Sequence, residues 1–280
     1  MRKRVFLFLP LIITSLTGCN KITKNRILII AGQSNASGCS SLFGLKDYKE
    51  KVYYSSKEGY DNILLSSYCD FHTASSDFEK SITQLEAYNG FGPEIGLAYK
   101  LSKRSKNENF YILKTGWGGT SIDTNWLNDG KRAYHYNISI EYLKTKLNEL
   151  KSQNISFDSI TICWMQGEKD GTEKESAIRY QNNEKALFTY FREDLSSYCS
   201  KIGIVDAYIS TLRGNPYAGV VNKAKLAVSK ELSDIKILKT NGESINALKL
   251  TFDEGENSHY NSESMYKLGV GFAKKAKKLF

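Results

Sequence analysis

The sequence predicts an α/β protein, a three-layer α/β/α sandwich around a mostly parallel sheet. Two observations lead to this prediction. Short apolar runs rich in β-branched and aromatic residues alternate with longer stretches whose apolar residues recur at helical spacing. Strands that alternate with helices in this way form a parallel sheet covered on both faces. The chain of 280 residues is long enough for one such domain with a full core.

Five apolar runs are predicted to form strands. Each run is short and is bounded by glycine, asparagine or charged residues, which commonly flank strands. Because parallel strands are buried on both faces, their residues are apolar without alternation. The predicted strands are 26–31, 110–114, 159–164, 202–209 and 235–238.

Five stretches between and after these strands are predicted to form helices. The first begins at Pro93, and proline suits the first turn of a helix. The last carries Leu268, Phe272, Ala276 and Leu279 at helical spacing. The predicted helices are 93–105, 138–152, 173–195, 220–232 and 261–280.

The segment 39–89 does not fit this alternation. It is polar, rich in serine and tyrosine, and only weakly periodic. We expect an elaborated loop after the first strand, at the sheet edge where open α/β proteins bind their ligands. Long loops in compact domains are commonly binding loops or disordered segments, and the tyrosines favour an ordered one.

The amino terminus has the features of a signal for export. A basic start, Met1 to Arg4, precedes an apolar run that is too short to span a bilayer. Leu16-Thr17-Gly18-Cys19 resembles the bacterial lipobox, in which the cysteine becomes lipid-modified; the alternative is a plain secretory signal. The expected organisation is a signal peptide at 1–18, a short tether at 19–25 and one domain at 26–280. A lipid anchor at Cys19 implies a place on a membrane of the bacterial cell envelope.

The charge and cysteine patterns exclude several functional classes. The net charge of +9 includes three basic residues of the leader, and the other lysines are scattered, so no nucleic-acid partner is expected. No CxxC or histidine-rich cluster indicates a metal, and no cofactor is implied. Cys163 lies in a buried strand. Cys39 and Cys69 flank a polar insertion, and whether they form a disulfide is left open.

Four short polar blocks follow the predicted strands. They are the blocks at 32–38, 114–121 and 164–170, and a fourth that holds the late histidine His259. The carboxyl ends of parallel strands lie on one sheet edge, so we expect these blocks to converge there. A serine needs a neighbouring base to become nucleophilic, and His259 can be that base.

In this order the blocks resemble those of the SGNH (GDSL-like) hydrolases, which have a flavodoxin-like sheet. They are most similar to the sialate O-acetylesterase and acetylxylan esterase branch, carbohydrate esterase family 6. The resemblance covers 26–280. Two departures stand out: Ala36 replaces the usual methionine after Gly-Gln-Ser-Asn, and Glu256 replaces the usual aspartate three residues before the histidine.

The resemblance implies a catalytic role for three residues. Ser34 is the expected nucleophile, against the alternative of a helix-capping serine. His259 is the expected general base and acid. Glu256 is the expected third member of the triad, with Glu168 as the alternative acid and Asp253 as a further one.

The same resemblance implies an oxyanion hole formed by the backbone N–H groups of Ser34 and Gly118 and the side-chain amide of Gln166. Gly119 is an alternative to Gly118, and a plain tight turn is the alternative for the whole glycine block. Other residues near the blocks are candidates to bind substrate. Trp117, Trp126 and Tyr134 can stack on a sugar ring, and Arg213 can meet a substrate carboxylate or hydroxyl.

The implied function is a serine esterase that removes O-acetyl groups from carbohydrates through an acetyl-serine intermediate. The partner is therefore an acetylated carbohydrate. Two alternatives stay open: an SGNH lipase or thioesterase acting on other acyl esters, and a non-catalytic glycan-binding surface lipoprotein. Neither the identity of the glycan nor the oligomeric state follows from the sequence.

Overall fold

The computed structural model describes residues 23–70, 77–82, 90–104, 107–211, 215–240, 247–255 and 258–280. Their centre is a six-stranded sheet in which every pair of neighbouring strands is parallel. Its strands are β1 (Lys24–Gly32), β2 (Ile63–Cys69), β3 (Glu108–Gly116), β4 (Ser159–Met165), β5 (Ile202–Ala207) and β6 (Ile235–Leu238).

The strand order explains where the polar blocks meet. Across the sheet the order is β2-β3-β1-β4-β5-β6, so β1 lies between β3 and β4. Gly32 at the end of β1 is in register with Gly116 on one side and with Met165 on the other. The chain turns in opposite directions on the two sides of β1, and α/β proteins bind ligands at such a switch point.

The described helices form two outer layers. Helices α2, α3 and α7 contact one another on one side, and α4, α5 and α6 form a second contiguous group. Two short antiparallel strand pairs and single turns of π and 3-10 helix lie in the connections. The helices are α1 (Ser34–Ser37), α2 (Leu42–Glu58), α3 (Pro93–Ser102), α4 (Tyr134–Ser152), α5 (Lys174–Leu195), α6 (Ala218–Glu231) and α7 (Ser262–Ala276).

The core is centred on the two middle strands of the sheet, β1 and β4, which are buried over most or all of their length. Residues 27–31 of β1 are completely buried, and so is nearly every residue of β4. This uniform burial confirms the predicted parallel sheet, and the five predicted strands and five predicted helices are present with ends shifted by a few residues. None of the described helices is both long and apolar enough to cross a bilayer.

The expectation of a long loop at 39–89 is wrong. Helix α2 and strand β2 occupy much of this segment, and β2 is the outermost strand on one side of the sheet. Helix α2 has a non-helical residue at Lys49, so its buried positions do not follow one continuous period. Strand β2 buries Ser66 and Ser67 and exposes Tyr68, which gives it a polar composition.

Two glycines bring α3 and α7 into close contact. A Cβ atom on Gly269 would lie 2.1 Å from the carbonyl oxygen of Pro93, and one on Gly96 would lie 2.2 Å from that of Tyr266. These distances are too short for any side chain. The contact matters for the site because α7 begins directly after the segment that carries His259.

We expect Gly269→Ala to destabilise the protein, because the new methyl group forces α3 and α7 apart. Overpacking of this kind costs about 1–3 kcal/mol, which urea denaturation measures as a lower midpoint. Gly219→Ala is the matched control, since Gly219 lies in helix α6 with nothing within 4 Å of its Cβ position. The control is expected to unfold at or slightly above the wild-type midpoint. Equal midpoints for the two variants would contradict the close packing.

Candidate active site

Ser34 lies on a tight turn directly after β1. Gly32 has a φ of +143°, and a Cβ atom there would lie 1.9 Å from the carbonyl oxygen of Met165, so only glycine fits. The N–H of Gln33 donates to that same carbonyl at 3.0 Å. Helix α1 begins at Ser34, which is buried apart from 6 % of its surface. The close approach of β1 and β4 therefore fixes the position of the predicted nucleophile.

The side chain of Asn35 connects this turn to the histidine segment. Its Nδ2 donates to the carbonyl oxygen of Ser258 at 3.0 Å and to Oε1 of Glu168 at 2.9 Å. Its Oδ1 accepts from the N–H of Tyr260 at 3.2 Å. Both chain neighbours of His259 are thus hydrogen-bonded to the residue that follows Ser34. The structure brings the two predicted catalytic segments to the same edge of the sheet.

Further contacts hold the residue after His259. Ser40 Oγ donates to the carbonyl oxygen of Tyr260 at 2.5 Å, and the Tyr260 ring stacks on Phe252 with centroids 5.4 Å apart. Tyr260 is buried, whereas His259 itself is half-buried. The backbone around His259 is therefore anchored while its imidazole keeps access to solvent.

Glu168, the alternative acid, lies beside Asn35. Its Oε1 accepts the Asn35 hydrogen bond, and its Oε2 is buried without a hydrogen-bond partner in the described part of the chain. Burial raises the pKa of the Glu168 carboxyl above its usual value, and the hydrogen bond from Asn35 opposes that shift. The position of Glu168 next to the histidine segment agrees with a role in the site.

Several predicted residues lie outside the described residues. They are the preferred triad acid Glu256, the candidate substrate ligand Arg213, and Cys19 together with the leader at 1–18. Their roles stay predictions. Cys69, the possible disulfide partner of Cys39, is a free buried thiol. The two cysteines therefore do not form a disulfide in this structure. Among the described residues no group of histidine, cysteine and acidic side chains is arranged to hold a metal.

The predicted oxyanion donor Gly118 has an internal carboxylate as its partner. Its N–H donates to Oδ2 of Asp70 in a very short hydrogen bond. Ser37 Oγ donates to Oδ1 of the same carboxylate at 3.1 Å, and the N–H of Asp70 donates to the carbonyl oxygen of Gly116 at 3.3 Å. Asp70 follows β2 directly and joins the nucleophile turn to the glycine loop. The sequence gives no sign of this role, because the polar composition of β2 predicts a loop at this position.

Gln166 has a different role from the predicted one. It is completely buried, and its two amide hydrogens are donated to the carbonyl oxygen of Thr120 at 2.9 Å and to Oδ2 of Asp170 at 2.6 Å. Its Oε1 accepts from the hydroxyl of Tyr180 at 3.0 Å. No amide hydrogen is left for an oxyanion, so in this arrangement Gln166 positions the loop after β3.

Asp170 completes this positioning. Its carboxylate also accepts the N–H groups of Ile122 at 3.0 Å and Asp123 at 3.3 Å. Burial raises the pKa of Asp170 to about 6, although the hydrogen bonds that its carboxylate accepts act to lower this pKa. Such an acid four residues after Gln166 is visible in the sequence, but nothing there shows that it bonds the distant loop at 120–123.

A buried ion cluster lies behind Gln166. Lys225 Nζ is 2.6 Å from Asp206 Oδ1 and 3.2 Å from Glu184 Oε1, and all three side chains are completely buried. Burial and the neighbouring Asp206 carboxylate raise the pKa of Glu184. The ammonium also lies 5.3 Å from the ring of Tyr180, whose hydroxyl bonds Gln166. Strand β5 and helices α5 and α6, which carry these charged groups, therefore help to hold Tyr180 and, through it, Gln166 in place.

The expectation that Trp126 stacks on a sugar is wrong. Trp126 is completely buried, its Nε1 donates to Thr120 Oγ1 at 3.0 Å, and its ring packs edge-on against Trp164 at 5.0 Å. It belongs to the core under the site. Trp117 is half-buried at the sheet edge, and its ring packs against Tyr68 at a centroid distance of 5.4 Å.

The sequence matches a known protein family over almost the whole chain. Residues 24–278 match the family described as carbohydrate esterase, sialic acid-specific acetylesterase. The chain belongs to this family. It is therefore a carboxylic ester hydrolase with O-acetyl esterase activity on carbohydrates. No curated protein sequence matches the chain.

Solved structures show the same fold. A protein from Arabidopsis thaliana superimposes with a TM-score of 0.66 at 20 % identity, over 92 % of this chain and 100 % of that one. NanS superimposes with a TM-score of 0.61 at 14 % identity, over 92 % and 97 %. The carbohydrate acetylesterase XAC1771 from Xanthomonas citri gives a TM-score of 0.56 at 14 % identity, over 90 % of this chain and 56 % of that one.

We expect Asn35→Ala to impair hydrolysis, because it releases both neighbours of His259 and one oxygen of Glu168. A hydrogen bond to a charged group contributes about 1.5–3 kcal/mol, so kcat/KM for an aryl acetate should fall roughly 10- to 100-fold. Asn25→Ala is the control, since Asn25 donates its side-chain hydrogen bond to Ser156 at the opposite edge of the sheet. An unchanged rate for Asn35→Ala would contradict the bridging role.

Proposed function

We propose that this esterase deacetylates sugar hydroxyls by double displacement on Ser34. Ser34 Oγ attacks the acetyl carbonyl carbon while His259 takes the hydroxyl proton. The tetrahedral intermediate then collapses, the bond to the sugar oxygen breaks, and His259 returns the proton to that oxygen. Water, deprotonated by His259, then attacks the acetyl carbonyl carbon, the bond to Ser34 Oγ breaks, and His259 returns the proton to that oxygen as acetate leaves.

The single observation that carries this proposal is the bridge formed by Asn35. Residues 34 and 259 are far apart in the sequence, and the Asn35 side chain bonds the backbone on both sides of His259. We assign the orienting carboxylate of the triad to Glu256, three residues before the histidine. Glu168, which accepts from Asn35 Nδ2, then serves to hold Asn35 in place.

The proposed oxyanion donors are the backbone N–H groups of Ser34 and Gly118. Such donors stabilise the charge that develops on the carbonyl oxygen. The support for Gly118 is that its N–H already donates to a carboxylate oxygen, that of Asp70. Binding of the acetyl group at this N–H requires the Asp70 carboxylate to move away from it. Gln166 supports the loop instead of donating to the oxyanion.

We expect Ser34→Ala and His259→Ala each to lower the hydrolysis of 4-nitrophenyl acetate by at least about 1000-fold, because the attacking group or its base is lost. A fluorophosphonate probe should label the wild type at Ser34, located by peptide mass spectrometry. Ser152→Ala is the control, since Ser152 is exposed at the end of α4 and should react at the wild-type rate. Labelling at another residue, or full activity of Ser34→Ala, rules out the acetyl-serine route.

We also propose that the mature protein is held on a membrane of the cell envelope by lipid attached to Cys19. The support is the Leu-Thr-Gly-Cys sequence at 16–19 behind a basic and apolar leader. Acyl chains at one cysteine anchor a domain whose described helices do not span a membrane.

We expect Cys19→Ser to move the protein from the membrane fraction to the soluble fraction of a bacterial host and to abolish its labelling by an alkynyl fatty acid. Thioether-linked and amide-linked acyl chains need this cysteine, so no other residue replaces it. Cys39→Ser should remain membrane-bound and labelled. Fatty-acid label that persists on Cys19→Ser would refute the anchor.

A further inference from the structure

We infer that a second sugar residue binds in a cleft between strand β2 and helix α4, so that the substrate is an acetylated glycan chain and not a free monosaccharide. This inference rests on the proposed function and specifies its substrate class. The cleft has a volume of about 330 Å³. It is lined by Tyr68, Ile138, Glu141, Tyr142, Thr145 and Lys146.

The cleft has the composition of a sugar site. Ligand pockets combine aromatic surface with a few polar groups, and this volume lies at the lower end of their range of about 300–1,000 Å³, enough for one ring. The aromatic surface comes from Tyr68 and Tyr142. The polar groups are the exposed Glu141 carboxylate and Thr145 hydroxyl, which lie on one face of α4 at a spacing of four residues.

Tyr68 is exposed to an unusual degree for a large side chain on a sheet strand. Its exposed fraction is 39 %, although its ring packs against Trp117 at 5.4 Å and against Tyr142 at 5.5 Å. Tyr142 is fixed in turn by a hydrogen bond from its hydroxyl to Ser66 Oγ at 2.9 Å. Two packed neighbours hold the Tyr68 ring in one orientation, so little side-chain entropy is lost when a sugar stacks on it.

Strand β2 connects this cleft to the catalytic centre. Alternate residues of a strand face the same side, so Ser66 and Tyr68 share one face of β2, and Asp70 follows directly after the end of the strand. Tyr68 lies in the cleft, and Asp70 contacts Ser37 and Gly118 beside the nucleophile. A ligand that runs along this face therefore passes from the cleft to the acetyl-binding centre.

The strand register gives the length of this path. Tyr68 is in register with Thr115 on β3, and Thr115 is in register with Ala31 on β1, three residues before Ser34. Two strand spacings amount to about 10 Å between Tyr68 and Ala31, and the three residues from Ala31 to Ser34 add at most about 10 Å in the perpendicular direction, so the separation from the cleft to Ser34 is about 10–14 Å. This separation suits neighbouring residues of one glycan chain, with the acetylated sugar at Ser34 and the next one or two reaching the cleft.

The experiment measures binding to the Ser34→Ala protein, which does not turn substrate over. The probes are 3′-sialyllactose, xylotetraose and chitotetraose, each compared by calorimetry with its monosaccharide: N-acetylneuraminic acid, xylose or N-acetylglucosamine. We expect at least one oligosaccharide to bind about tenfold more tightly than its monosaccharide, a difference of about 1.4 kcal/mol. Adding Tyr68→Ala should remove that difference.

A second variant distinguishes loss of sugar binding from loss of folding. Thr145→Arg leaves the aromatic contacts intact and fills the cleft from an exposed helix position, so it should also remove the preference. Tyr54→Ala is the control, because Tyr54 is 46 % exposed on helix α2, in the other helix layer, and does not line the cleft. The inference is overturned if no oligosaccharide binds better than its monosaccharide, or if the preference survives both cleft variants. Full hydrolysis by Ser34→Ala with a preference lost in Thr145→Arg would instead refute the proposed nucleophile and support the cleft.

Discussion

The side-chain amide of Asn35 joins three parts of the chain that the catalytic centre needs together. It bonds Glu168 after β4 and the backbone on both sides of His259, which lies more than 220 residues further along the chain. The amide is almost completely buried, and an unmatched polar group in such a place would be costly. The histidine segment therefore has one favourable position, which is beside the turn that carries Ser34.

This bridge depends on the fold beneath it. The Gly32 contact with Met165 sets the turn that carries Asn35, and the glycine contact between α3 and α7 sets the helix that follows the histidine. On the other side of the sheet, Asp170 and Gln166 tie the loop after β3 to β4. The site is thus positioned mainly by buried polar groups and close backbone contacts. Large side chains such as Trp126 fill the core below it.

The sequence predicted the position of the candidate site where a polar block directly follows a predicted apolar strand. The apolar runs at 26–31 and 159–164 identified the central strands, and the polar blocks behind them identified Ser34 and the edge where His259 would lie. It was uninformative where a side chain acts over a long sequence separation. Asp70 accepts a hydrogen bond from the N–H of Gly118, and Gln166 donates both amide hydrogens to Thr120 and Asp170. These contacts arise from the tertiary fold, and no local sequence pattern predicts them. Strand β2 was missed because its buried serines lower the apolar content of the segment.

The direction of β1 has a consequence for how an anchored molecule would be oriented. The strand begins at Lys24 on one edge of the sheet and delivers Ser34 to the opposite edge, a rise of about 30 Å over its nine residues. A chain held at Cys19 has only residues 19–23 before the strand begins, a reach of at most about 17 Å. The amino-terminal edge would then lie against the bilayer, and the catalytic edge would point outward. Polymers in the surrounding medium would be within reach, whereas headgroups of the same membrane would not.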